Sequence, residues 1–178
     1  MSTVTEFLAQ VQAHEVLALL TLIAAIATDL KYQKIFNKLT FPVMAIGMAW
    51  WIYQGNPWFG VMGLAVGFGM TFPAFALGRT LRAGDAKLMM AVGALLGPAI
   101  NFRACLMMYL ISIPFGLAVL AYKGRLGNLL PALRAGIGRA RGEEVADVET
   151  TVVAYAPVIG VAVIMAYFTD WLTFWGPL

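Results

Sequence analysis

Apolar residues in this chain run in long blocks broken by short polar turns, instead of alternating or recurring on one helix face. Val16 to Thr28 carries no charge, and comparable blocks flank Gln54-Gly55-Asn56-Pro57, the Arg79 to Arg82 turn and the basic stretch that opens at Lys123. Crossing about 30 Å of hydrocarbon takes roughly 20 such residues in a helix. The blocks therefore predict six transmembrane helices, near residues 7–29, 39–54, 57–78, 86–101, 104–122 and 151–172. The expected fold class is all-α, a polytopic bundle of about six transmembrane helices. Short turns make sequence neighbours antiparallel, and residues 1–178 read as a single membrane-embedded domain. Composition agrees: 61 % hydrophobic and 12 % charged residues, with mean hydropathy +0.82, leave too much apolar surface for one small water-soluble core.

Some features refine this picture. Gln10, Gln12, His14 and Glu15 precede the first uncharged block, which places its outer half among headgroups or other helices. A cleavable signal with a site at Ala25-Ile26-Ala27 is disfavoured, because no Lys or Arg occurs before Lys31. Gly60, Gly63, Gly67 and Gly69 remove side-chain bulk from the third span and predict close helix approach. Pro73, Pro114 and Pro157 fall within spans and predict kinks. Within residues 123–150, Leu126, Leu129, Leu130, Leu133 and Ile137 recur at helical spacing beside Arg125, Arg134, Arg139 and Arg141. That pattern predicts a basic amphipathic helix on the cytoplasmic leaflet, followed by a solvated acidic run at Glu143, Glu144, Asp147 and Glu149.

Cations fix the orientation. Lys31, Lys34, Lys38, Arg79, Arg82, Lys87 and the five in the long loop fall on one side of the predicted spans, and only Arg103 falls on the other. Cytoplasmic loops retain Lys and Arg, so both termini are expected to face outward. The net charge of +3 then reflects topology, and no nucleic-acid partner is implied. Cys105 stands alone, which excludes an internal disulfide or a Cys-rich zinc site. His14 and Asp170 fall at the outer boundary, the latter beside Trp171, Phe174 and Trp175, and read as interfacial.

Two acids break the rule that spans exclude charge. Asp29 closes the first span and Asp85 opens the fourth, 56 residues later, at the same predicted depth. An ionisable residue at that depth is a functional candidate once a partner is named, and here each names the other. Two carboxylates within a few ångströms share a proton, so the pair holds an acid and a base together. Such a pair hydrolyses a peptide bond with no metal or cofactor: the ionised member takes a proton from water and the protonated one polarises the scissile carbonyl. A small bundle with two boundary carboxylates also suits proton or cation transport.

The flanking residues are Asp29-Leu30-Lys31-Tyr32-Gln33-Lys34-Ile35-Phe36-Asn37 and Ala83-Gly84-Asp85-Ala86-Lys87-Leu88. The chain resembles the type IV prepilin peptidase family, intramembrane aspartyl proteases with an Asp followed by Ile-Pro-Asn and a Gly-x-Gly-Asp-x-Lys-Leu signature. It looks closest to the short members associated with tight-adherence (Flp-type) pili. The resemblance implies that Asp29 and Asp85 are catalytic and that Gly84, Lys87 and Asn37 support them or bind substrate. It implies a multi-pass protein of the bacterial plasma membrane with its site at the cytoplasmic face. Its partners would be the lipid bilayer and a prepilin-like substrate, cut after a glycine between a basic leader and an apolar helix. Long members of the family also methylate the new amino terminus through a cytoplasmic domain; this chain offers neither that domain nor its cysteines, so methyl transfer is not expected. Two positions depart from the pattern. Arg82 occupies the first glycine position and Phe36 stands where the proline precedes Asn37. Arg82 leaves open a third reading, a non-catalytic partner in pilus assembly.

Overall fold

The polar interruptions become helix boundaries. A computed structural model describes residues 12–78, 81–124, 127, 131, 134, 137–138, 141 and 154–168. Its helices are α1 (Ala13–Tyr32), α2 (Asn37–Tyr53), α3 (Pro57–Gly78), α4 (Ala83–Tyr122) and α5 (Ala156–Phe168). Among the described residues the fold is all helical, as expected, but the helices number five and not six. The stretches Ala13–Tyr32, Pro57–Ala76 and Ala83–Tyr122 are long and apolar enough to cross a membrane, and α5 is a shorter apolar helix. The amphipathic helix expected within 123–150 falls mostly outside the described residues, as does Asp170.

The count differs because the fourth and fifth expected spans fall within the one helix α4, with no turn between residues 101 and 104. Arg103 lies inside α4, its Nε donating to the Ala99 carbonyl at 3.4 Å. The chain breaks earlier, at Gly97, whose φ of 81° and ψ of 179° are open essentially to glycine alone. Pro98 follows, so the amide that would continue the ladder is missing where the helix stops.

Contacts along α3 give the direction of each arm of α4. Gly63 and Gly67 approach Gly93 and Met89, so α3 and the first arm run oppositely. The Gly63 carbonyl also accepts from Asn101 Nδ2 at 2.9 Å and the Met70 carbonyl accepts from the Tyr109 hydroxyl, so α3 and the second arm run together. The two arms are therefore antiparallel, folded back on each other at Gly97. In a straight helix Asn101 would stand about 12 Å from Gly93 along the axis; here its amide packs directly on Gly93. A Cβ at either Gly63 or Gly93 would overlap the carbonyl of the other, which is why these positions carry no side chain.

The first arm forms the centre of the bundle. Leu88, Met89, Ala91, Val92, Ala94 and Leu95 are all fully buried, as befits a helix apolar on every side. Large apolar side chains such as Leu20, Ile23, Ile46, Phe68 and Ile113 remain exposed on the outside, where a bilayer would cover them.

At the end of the bundle away from Asp29, Trp51 Nε1 donates to the Leu95 carbonyl at 3.2 Å, beside the break. His14 is buried there, its ring 5.2 Å from that of Trp50 and 5.5 Å from that of Trp51. It stands about 22 Å along α1 from Asp29. Pro157 does not kink a span: it is the second residue of α5, in the first turn, where helix amides have no intrahelical acceptor anyway.

Candidate active site

Three helix ends meet around Asp29 and Asp85. Asp29 lies in the last turn of α1, which closes at Gln33 in the left-handed conformation, φ 50° and ψ 36°, with the Gln33 N–H donating to the Asp29 carbonyl at 2.8 Å. A non-glycine residue in that region carries a cost of roughly 1 kcal/mol. The arginine at position 82 offsets part of it, since its guanidinium donates to the Gln33 carbonyl. Asp85 is the third residue of α4, and its Oδ2 accepts the Arg82 backbone N–H at 2.8 Å. Its carboxylate thereby satisfies an amide just ahead of the helix.

Asp29 plays a similar part for a different helix. Its Oδ2 accepts the backbone N–H of Ala156, the first residue of α5, at 2.9 Å. Both aspartates are only 2 % exposed, and Asp85 lies within electrostatic reach of Asp29 and of Arg82. Helix N-termini carry partial positive charge, so α4 and α5 both favour negative charge at this point. Each carboxylate is engaged through Oδ2, leaving its Oδ1 outside these two bonds. A buried acid pair so held can position a water between its members and pass protons to and from it.

The other positions named from sequence gather at the same end. Lys87 Nζ donates to Asn37 Oδ1 at 2.9 Å and lies 5.2 Å from the centre of the Phe41 ring, linking the N-terminal ends of α4 and α2. Gly84 lets α4 approach the α1–α2 link: a Cβ there would stand 3.1 Å from Ile35 Cβ. Its close approach is thus to Ile35, a contact not apparent in the sequence.

Neither departure from the motif disturbs the backbone. Arg82 has φ −86° and ψ 158°, an extended conformation that requires no glycine. Phe36, at φ −81° and ψ 137°, lies close to the φ a proline ring imposes, and its carbonyl accepts the Leu39 and Thr40 amides that open α2.

Sequence reasoning missed Tyr155, Ala156 and Ser112. The Tyr155 hydroxyl donates to Ser112 Oγ, and Tyr155 is within electrostatic reach of Asp85. Pro157 was the available signal, since proline favours the first turn of a helix and so marks a nearby N-terminus.

A membrane-embedded helical bundle that buries an acid pair where helix ends converge defines the class of protein. Residues 16–121, more than half of the chain, match the family model described as the type IV leader peptidase family. The chain belongs to that family, and is a membrane protease of the leader peptidase type. No curated protein and no solved structure matches it.

Proposed function

We infer that the protein is an aspartic-type endopeptidase that removes the basic leader from prepilin-like membrane proteins of the tight-adherence type. The observation that carries this reading is the burial of Asp29 and Asp85 together, 56 residues apart in sequence, against the N-termini of two helices. Burying two acids within electrostatic reach of each other costs free energy, and an acid–base pair for peptide hydrolysis is a chemistry that uses such an arrangement.

In the reaction, the ionised aspartate takes a proton from the attacking water while the protonated one donates to the scissile carbonyl oxygen. The tetrahedral intermediate then collapses, with the leaving amine receiving a proton from the pair. We assign Lys87 and Asn37, hydrogen-bonded to each other and with Lys87 two residues from Asp85, to the substrate backbone. No metal or cofactor enters the scheme.

The site is assigned to the cytoplasmic face of the bacterial plasma membrane because Lys31, Lys34, Arg82 and Lys87 cluster at the aspartate end. A substrate whose apolar helix enters the bilayer and whose basic leader stays outside presents its junction at that level.

The test is cleavage of a prepilin-like substrate, with basic leader, glycine and apolar helix, by the purified protein in detergent. Wild type is expected to release the leader, and Asp29→Asn and Asp85→Asn to release none. Equal processing by all three proteins would remove the aspartates from the mechanism.

A further inference from the structure

The start of α5 lies beyond the matched residues 16–121, yet its first amide bonds Asp29 and the residue before it is tied to α4. Tyr155, half-buried, immediately precedes the helix, and its hydroxyl meets Ser112 Oγ on the second arm of α4. The Ser112 hydroxyl donates in turn to the Met108 carbonyl one turn back. A serine hydroxyl has a single hydrogen, and Met108 takes it, so Tyr155 must be the donor in the Tyr155–Ser112 bond. The next residue, Ala156, gives its backbone N–H to Asp29 Oδ2 at 2.9 Å. Pro157 has no N–H, so of these two residues Ala156 alone can serve Asp29.

We propose that Tyr155 is a positioning residue of the peptidase site: by donating its hydroxyl to Ser112 it fixes the first turn of α5, so that the Ala156 amide holds Asp29 facing Asp85. The proposal rests on the aspartic peptidase reading. Two consecutive residues are tied to two different helices, Tyr155 to α4 and Ala156 to α1. Releasing the first lets the second drift. Because Tyr155 reaches no substrate through this bond, its loss acts on the placement of Asp29 and so on the chemical step, leaving substrate binding nearly unchanged.

The experiment compares Tyr155→Phe, Ser112→Ala, the double variant, Ser112→Thr and Asp29→Asn, using the full chain in detergent with the prepilin-like substrate. Tyr155→Phe and Ser112→Ala are each expected to lower kcat by roughly tenfold with KM within about twofold of wild type, as a small misplacement of a reacting group does. The double variant is expected to be no worse than the stronger single, since both remove one bond. Ser112→Thr keeps the hydroxyl and is expected to restore the rate.

Wild-type rates for Tyr155→Phe and Ser112→Ala, with Asp29→Asn inactive, would overturn the role of Tyr155 and leave the peptidase reading standing. Normal cleavage by Asp29→Asn would overturn the peptidase reading itself. A matched rise in KM and a lower melting temperature in both hydroxyl variants would mean general loosening, and would also overturn the proposal. Where Tyr155→Phe does not accumulate, Ser112→Ala against Ser112→Thr makes the same comparison: loss and rescue support it, equal rates overturn it.

Discussion

Asp29 Oδ2 and the backbone nitrogen of Ala156 stand 2.9 Å apart across 127 residues of chain. One carboxylate thus belongs to a buried acid pair and also closes the N-terminus of the last described helix. The two duties separate by mutation. Asn keeps an oxygen that accepts the Ala156 amide, whereas Ala leaves a buried N–H unpaired at about 1–3 kcal/mol. Asp29→Asn and Asp29→Ala are both expected to abolish cleavage, but only Asp29→Ala to lower the melting temperature in detergent.

The fold-back of α4 depends on a backbone angle that only glycine adopts freely. Gly97→Ala must hold φ 81° with a Cβ that overlaps the Phe59 ring, while a Cβ at Gly69 meets nothing within 4 Å. The backbone strain alone is worth about 1–3 kcal/mol. Unfolding of the purified variants is expected to show Gly97→Ala clearly destabilised and Gly69→Ala close to wild type.

Arg82 serves Asp85 through its backbone, so most residues can replace it. Arg82→Gly retains the N–H bound to Asp85 Oδ2 and loses the guanidinium, with its bond to Gln33 and its electrostatic contact with Asp85. Cleavage by Arg82→Gly is expected to stay within a few-fold of wild type. Arg82→Pro removes the amide donor itself, and a hydrogen bond to a charged acceptor is worth about 1.5–3 kcal/mol. A fall in both stability and cleavage is expected for that variant alone.

Lys87 and Asn37 are joined at the exposed edge of the site, where such bonds are weak. A double-mutant cycle of Lys87→Met and Asn37→Ala is expected to give a coupling of about 0.2–1 kcal/mol in stability. A larger loss of cleavage than of stability in the single variants would show that the pair acts on substrate.

Much of this arrangement was legible from the order of residues. Asp29 and Asp85 stood out because each interrupts an apolar environment, and Asn37, Gly84 and Lys87 because they flank those acids in a motif. The structure brings all five to one end of the bundle. A reversal was legible but its place was not: Arg103 and polarity pointed to a turn between residues 101 and 104. The break came at Gly97-Pro98, an uncharged pair whose effect is on dihedral angles and not on hydropathy. Pro157 was misread for a related reason, since a proline has opposite meanings in the first turn and in the middle of a helix, and only the helix boundary tells them apart.

By itself the sequence determined that the chain is helical and suited to a membrane, which acids are exceptional and which neighbours accompany them, because hydropathy and motif are properties of short stretches. Tertiary structure alone decided that α4 folds back at Gly97, that Arg82 turns to Gln33, and that Ala156, Tyr155 and Ser112 join the aspartates. Those are hydrogen bonds and close approaches between residues far apart in the chain, and they exist only once the packed helices bring their ends together.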